Sequence, residues 1–251
     1  MPTRINDIRL KKWRKYPHIL TEALWIIDKR NARYGSSQFH GNFVPDIPYQ
    51  MMLRYTRRGE SVLDPAAGSG TTGDVAADIG RVCHMVDLNP TRHSIGRQDL
   101  LDSQAWKFEK GMRPYDLIIF HPPYSDIIKY SDKPTDLSNV ADSREFRVRF
   151  KQAMENLHPW LAPGRYFILV LGNIWEDGEE IPLGFLCSEQ MRGRFDYKRR
   201  AVIVKNFGET QGGMYSPQQA NLRRYRHLKN GTYDFAGDFI FVMQKPPEGG
   251  W

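Results

Sequence analysis

The residues with the most chemical content are His121-Pro122-Pro123-Tyr124, which close a short apolar run, Asp116-Leu117-Ile118-Ile119-Phe120. Adjacent prolines fix two φ angles and remove two N–H donors. A strand running into them ends in a stiff corner that holds a polar side chain and an aromatic ring in place. Upstream lies Asp64-Pro65-Ala66-Ala67-Gly68-Ser69-Gly70-Thr71-Thr72, which with Gly73 satisfies a Gly-x-Gly-x-x-Gly spacing. A glycine turn at the start of a helix lets a ligand approach backbone N–H groups closely. Asp87 ends the next apolar run, where a carboxylate can accept from a ribose hydroxyl. The chain has no Gly-Lys-Ser/Thr, which speaks against a loop that cradles a nucleoside triphosphate. Each feature has a plainer reading: a Pro-Pro turn with a packing tyrosine, and an ordinary strand–helix turn.

The elements that must position these residues can be read from apolar spacing. Strands are expected over Glu60–Asp64, Val82–Asp87, Asp116–Phe120, Tyr166–Leu171, Ala201–Val204 and Asp238–Met243. Helices are expected around Thr21–Arg30, Ile47–Tyr55, Thr72–Ile79, Thr91–Leu101 and Arg144–Leu157. Residues 125–143 read as a polar loop, and Lys205–Gly237 shows little apolar periodicity. Alternating strands and helices argue for a mostly parallel sheet with helices on both faces. The whole of 1–251 reads as one domain, with 1–38 as a basic lead-in and 205–237 as a small insertion.

Composition narrows the class. Hydrophobic residues make up 40% of the 251, enough for a sizeable core and too many for a disordered chain. No apolar run is long enough to span a bilayer, and Met1-Pro2-Thr3-Arg4 lacks the apolar core of a secretory signal, so a cytoplasmic protein is expected. Cys83 and Cys187 suggest neither a disulfide framework nor a zinc site, and no metal is expected. The net charge of +7 favours a polyanionic partner. Its basic residues cluster at Arg9, Lys11, Lys12, Arg14 and Lys15, at Arg192, Arg194, Lys198, Arg199 and Arg200, and at Arg223, Arg224, Arg226 and Lys229. Trp13, Tyr16, Tyr197 and Tyr225 are interleaved with them, a pattern that points to nucleic acid when three such clusters occur together.

The Asp64-Pro65 entry, the glycine turn and the Pro-Pro corner together resemble the S-adenosylmethionine-dependent DNA amino-methyltransferases. The family's cofactor loop reads Asp-Pro-Phe-x-Gly-Ser-Gly-Thr-Thr, and the one departure among its specified positions is Ala66 in place of phenylalanine. Phe43, in Asn42-Phe43-Val44-Pro45, resembles the family's upstream cofactor segment and could fill the space that Ala66 leaves. The closing run Gly237–Lys245 resembles the family's last strand.

The resemblance implies a Rossmann-like methyltransferase fold with a mostly parallel seven-stranded sheet, an antiparallel last strand and helices on both faces. It implies S-adenosylmethionine as cofactor, held by Phe43, Asp64, Ala66, Gly68, Ser69, Gly70, Thr71, Asp87, Leu88 and Asp99, with Asp99 at the adenine amino group. It implies that His121 and the carbonyl of Pro122 accept from an amino nitrogen, that Pro123 completes the bend, and that Tyr124 stacks on an extruded base.

His121 stands where the family has Asp, Asn or Ser. Neutral imidazole can accept one hydrogen bond and imidazolium none, so activity is expected to fall as His121 titrates near its ordinary value of about 6.5. Alternatively, His121 only braces the loop. Carbon-5 cytosine methylation is disfavoured, since neither cysteine follows a proline.

DNA is the expected partner, with N6-adenine slightly favoured over N4-cytosine and Arg199, Arg200, Arg223, Arg224 and Arg226 as candidate contacts. Too few residues separate the two motifs to hold a recognition domain. Recognition therefore falls to the 125–143 loop, the 205–237 insertion or the N-terminal arm, and a second copy of the chain could complete the clamp. The alternatives are an RNA or protein amide N-methyltransferase, whose corners also read polar-Pro-Pro-Tyr, and a catalytically inactive DNA-binding subunit of the same fold.

Overall fold

A computed structural model describes residues 5–27, 29–36, 39, 41, 44–108, 111–123, 129–206, 217–233 and 237–251. Its centre is an eight-stranded sheet. The strands are β1 (Leu24–Trp25), β2 (Ser61–Asp64), β3 (Val82–Asp87), β4 (Gly96–Arg97), β5 (Tyr115–Phe120), β6 (Leu161–Val170), β9 (Lys198–Asn206) and β10 (Gly237–Gln244). Their order is β1-β9-β10-β6-β5-β2-β3-β4. β10 runs antiparallel to both of its neighbours and every other pairing is parallel. A separate hairpin, β7 (Ile174–Glu176) and β8 (Glu179–Ile181), follows β6. Asp177 and Gly178 both have positive φ at its tip, as an Asp-Gly hairpin turn requires.

The central strands are apolar on both sides because both faces are covered. On β5, Leu117 and Ile119 point to one face, with Ile168 and Val170 of β6 and Ile240 and Val242 of β10. That face is packed by α1 (Asp46–Tyr55) through Ile47, Met51 and Met52, and by α2 (Thr71–Asp78) through Val75 and Ala76. Ile118 and Phe120 point to the other face, with Phe167, Leu169, Phe241 and Met243. There they meet α3 (Ser143–Leu157) through Phe146, Phe150 and Met154, and α4 (Leu183–Phe195) through Leu183, Cys187 and Met191. The Asp142 carboxylate accepts from the Glu145 N–H at 2.7 Å and caps α3.

The expected mostly parallel sheet, its antiparallel last strand and its two helical layers are present. The sheet has eight strands instead of seven: six longer strands, with a two-residue strand added at each edge. Two expected helices are replaced. Around Thr21–Arg30, Leu24 and Ile26 are 60% and 64% exposed while Trp25 is 2% exposed, which is the alternation of a strand. Trp25 pairs with Lys205 there. Within Thr91–Leu101, Gly96 and Arg97 pair with Val86 and Asp87, and this edge pairing outcompetes a helix. The sequence reading passed over α4 and α5 (Pro217–Asn230), the latter inside the 205–237 insertion. No helix among the described residues is long and apolar enough to cross a membrane.

Candidate active site

The parallel strands β2, β3, β5 and β6 all end at one edge of the sheet, and ligands of open α/β sheets bind outside that edge where the strand order reverses. The chain leaves β2 for β3 on one side and returns to β5 on the other. β2 and β5 are direct neighbours, with Leu63 opposite Ile118. Asp64 and the glycine turn leave the end of β2, and His121-Pro122-Pro123 leave the end of β5. Topology therefore sets the two motifs side by side. Tyr124 and Phe43 lie outside the described residues.

Gly68 and Gly70 have φ of 51° and 80°. A side chain at Gly68 would begin 2.7 Å from the Phe39 ring, and one at Gly70 would begin 1.8 Å from the Arg92 guanidinium. Gly73 sits against Met85, so the third glycine lets α2 approach β3 closely. The Asp87 carboxylate accepts the Gly68 N–H at 2.8 Å through one oxygen and the Asn89 N–H at 2.8 Å through the other. Each oxygen keeps a lone pair for a further donor. Gln98 donates its N–H to the Asp87 carbonyl, which brings Asp99 to the same edge, where its carboxylate accepts from Leu101 N. The Leu88 carbonyl accepts from Lys133 Nζ at 2.8 Å. Burial pushes the Asp64 carboxyl up to about 7, with the Asp87 charge adding to the rise; the Ala66 N–H that it accepts works against it. Ala66 packs against the core beneath α3.

Residues that the sequence reading did not single out roof this turn. Gly35 donates to Asp74 Oδ2 at 2.8 Å and Ser36 to Ser69 Oγ at 3.1 Å. Arg30 reaches Thr71 Oγ1 at 3.4 Å, and Arg92 holds the Gly70 carbonyl at 2.6 Å and Asp74 at 3.0 Å. Phe39 stacks on Tyr130 with ring centroids 5.9 Å apart. Tyr130 is close enough to Asp87 for that charge to reinforce burial, which pushes its phenol up to about 12. Phe39 is a described ring at the turn. No local pattern marks it, since the pairing with Tyr130 joins segments far apart in the chain. We expect Phe39→Ala to weaken binding of S-adenosylmethionine about 10-fold, as loss of a half-buried ring contact should, measured by calorimetry.

His121 keeps a solvent-facing edge while protein packs around it. Burial pulls its imidazole down to about 4; Asp238 opposes that shift and Lys205 adds to it. This moves the expected titration below the ordinary value of about 6.5, and the neutral imidazole can accept a hydrogen bond.

The basic clusters separate. α5 is inserted between the end of β9 and the start of β10, at the same edge as the corner, and Arg224 and Arg226 are exposed on it. Arg223 lies on α5 with its side chain outside the described set. Arg199 and Arg200 sit at the start of β9, about 20 Å along the strand from Lys205. They are engaged there: Arg199 with Ser188 and Glu189, Arg200 with Gln244 and the Trp251 ring. Arg9–Lys15 is also remote, because Asp7 ties that arm to Arg58 and Arg81 at the opposite edge. The structure thus does not bring Arg199, Arg200 or the Arg9–Lys15 cluster to the corner.

Residues 7–98 match the DNA methylase family model. The match takes in the glycine turn, Asp87 and the segment that roofs them, and it stops before the Pro-Pro corner. No curated protein matches the chain. Among solved structures, SMU.776, a methyltransferase by its description and complexed with SAH, is 13% identical with a TM-score of 0.51, over 81% of this chain and 50% of that one. TrmN from Thermus thermophilus is 15% identical with a TM-score of 0.49, over 81% and 49%. The N-methyltransferase NodS from Bradyrhizobium japonicum WM9, in complex with S-adenosyl-L-homocysteine, is 11% identical with a TM-score of 0.42, over 76% and 80%. The chain spans about half the length of the first two structures. The fold is the Rossmann-like methyltransferase fold.

Proposed function

We propose that this DNA methylase-like chain transfers a methyl group from S-adenosylmethionine to an exocyclic amino nitrogen of a base in DNA. The observation that carries this reading is the pairing of β2 with β5, which places the glycine turn and the Pro-Pro corner side by side where the strand order reverses. The residues of the turn fit the cofactor. Gly68 and Gly70 form a cradle with no room for side chains. Asp87 has acceptor capacity for ribose hydroxyls. The Nε atoms of Arg30 and Arg92, which border the turn, are buried and have no hydrogen-bond partner among the described residues, and they suit an amino-acid carboxylate. Asp64, Ala66, Ser69, Thr71, Leu88 and Asp99 complete the proposed binding set.

Bound there, the cofactor would supply an electrophilic methyl group on a positively charged sulfur. The target nitrogen is a weak nucleophile because its lone pair is delocalised into the base. Acceptors aimed at its hydrogens favour a more tetrahedral nitrogen, and acceptors fixed in advance need no reorganisation. Neutral His121 offers one and the Pro122 carbonyl offers the other. Pro123 keeps the bend rigid, and Tyr124 stacks on the extruded base. Adenine is the favoured target.

α5 is the proposed DNA-contacting element. Arg224→Ala and Arg226→Ala should each weaken binding to duplex DNA and lower the slope of log K against log salt by about 1. Arg199→Ala and Arg200→Ala should leave that slope unchanged, which titrations at several salt concentrations would check. The function itself is tested by transfer from methyl-labelled cofactor to genomic DNA, RNA and protein in parallel, followed by nucleoside analysis of the DNA. N6-methyladenine in DNA is the expected product. Label in RNA or protein alone, or cofactor binding without transfer to any of the three, would replace this reading.

A further inference from the structure

Asp87 is aimed by its neighbours. One carboxylate oxygen accepts from the Gly68 N–H and the other from the Asn89 N–H, each at 2.8 Å. The Asn89 N–H belongs to the same peptide unit as the Leu88 carbonyl. That unit is planar, so whatever grips its carbonyl also aims its N–H. Lys133 Nζ donates to the Leu88 carbonyl at 2.8 Å, and Arg97 reaches it from β4 at 3.2 Å. A chain of hydrogen bonds therefore runs from the Lys133 ammonium, through one peptide unit, to the Asp87 carboxylate. A cationic donor at the carbonyl end polarises the unit and strengthens the N–H at its other end.

Lys133 comes from the corner side of the site. Residues 129–140 follow the Pro-Pro corner and belong to the stretch expected to be a polar recognition loop. Here the structure turns polar groups onto the loop itself. Asp136 and Ser138 are each 3% exposed. Asp136 accepts from Ser138 N at 2.9 Å, from Ser138 Oγ at 2.7 Å and from Ser131 Oγ at 2.6 Å. Asn139 donates to the carbonyls of Ser131 and Lys133, and Arg149 of α3 holds those of Pro134 and Asp136. Two side chains leave this knot toward the cofactor edge. Tyr130 stacks on Phe39, and half-buried Lys133 crosses to the residue after β3. Lys133 thus joins the chain that leaves the corner to the peptide unit that aims Asp87.

We propose that Lys133 is a positioning residue for the cofactor site: by holding the Leu88–Asn89 peptide unit, it fixes the Asp87 carboxylate in the orientation that accepts from a ribose hydroxyl, and it ties that carboxylate to the 129–140 loop. Lys133 acts through the peptide unit. The proposal rests on the reading of Asp87 as the ribose acceptor and deepens it by naming what aligns the acceptor.

The test is calorimetry with S-adenosylhomocysteine and with its 2′,3′-dideoxyribose analogue, which gives Asp87 nothing to accept. The wild type should bind the first about 10-fold more tightly than the second, as loss of hydrogen bonds to a charged acceptor should. Lys133→Met should lose about 10-fold in affinity for S-adenosylhomocysteine and less than about two-fold for the analogue, because the lysine and the ribose hydroxyls act on one carboxylate. Lys133→Arg keeps a cationic donor and should recover most of the affinity. Arg149→Met releases the same loop from α3 and leaves the peptide unit held, so its affinity should stay within about two-fold of the wild type. In the ligand-free protein, the amides of Gly68 and Asn89 should exchange with solvent about 10-fold faster in Lys133→Met, while those of Ile118 and Phe167 in the central strands stay unchanged. Equal losses for the two ligands, no recovery with arginine, a loss in Arg149→Met as large as in Lys133→Met, or unchanged exchange at Asn89 would overturn the proposal. Should the wild type bind both ligands equally, the ribose reading of Asp87 fails, and exchange at Gly68 and Asn89 still decides whether Lys133 holds the peptide unit.

Discussion

His121→Ala should lower methyl transfer to DNA by about 10²- to 10³-fold while leaving cofactor binding within about two-fold. Removing one acceptor fixed in advance at a reacting centre typically has an effect of that size. The proposed cofactor cradle belongs to β2, β3 and the segment over them, and His121 is at the end of β5, so the two properties should separate. Burial pulls the imidazole down to about 4, so the wild-type rate should stay level from pH 8 down to about 5.5 and fall only as pH approaches 4. His121→Asn keeps an acceptor that does not titrate and should shift the acid limb. Single-turnover rates across pH 4–8 would check the wild type and both variants. A wild-type rate that falls through pH 6.5 would mean that another group controls the acid limb. The same depressed value bears on stability. A histidine held below its unfolded value contributes stability that is present above about pH 6.5 and is lost as pH falls through about 4. The wild type should therefore lose stability toward acid more steeply than His121→Ala, as denaturant midpoints would show.

The second large effect is on the fold. A β-carbon at Gly184 would begin 2.5 Å from the Leu171 carbonyl oxygen and 2.6 Å from the Phe241 ring. Backbone lies on one side and a buried ring on the other, so neither neighbour can retreat cheaply. Gly184→Ala should cost about 3 kcal/mol, the upper part of the usual range for overpacking. For a domain of this size that lowers Tm by about 6–12 °C. Leu171 leads into the site edge, so residual activity should fall with stability. The internal control is Gly193 in the same helix, where nothing lies within 4 Å of an added carbon. Gly193→Ala should stabilise by up to about 1 kcal/mol through helix propensity alone. One substitution in one helix thus carries opposite signs, and thermal melts of both variants would show it.

Much of the architecture could be read without coordinates, for identifiable reasons. β3 has the expected bounds, and α1, α2, α3, β2 and β5 begin or end within a residue of their expected positions, because a buried parallel strand is a short apolar run and a helix under it has apolar spacing of its own. The glycine turn and the Pro-Pro corner are legible because backbone geometry demands those residue types whatever surrounds them. Other features depend on partners distant in sequence. Within the expected helix Thr21–Arg30, Leu24–Trp25 forms a strand because Trp25 pairs with Lys205, and Gly96–Arg97 leaves its expected helix to pair with β3. The Phe39–Tyr130 roof and the Lys133–Leu88 hydrogen bond each join segments brought together only by the fold. Burial likewise decides charge state: composition gives His121 its ordinary titration range, and the protein packed around it moves that range down to about 4. The two chemical motifs follow from sequence alone because local backbone constraints write them. What surrounds them follows from strand order, which brings distant residues to one edge and also carries Arg199 and Arg200 to the other.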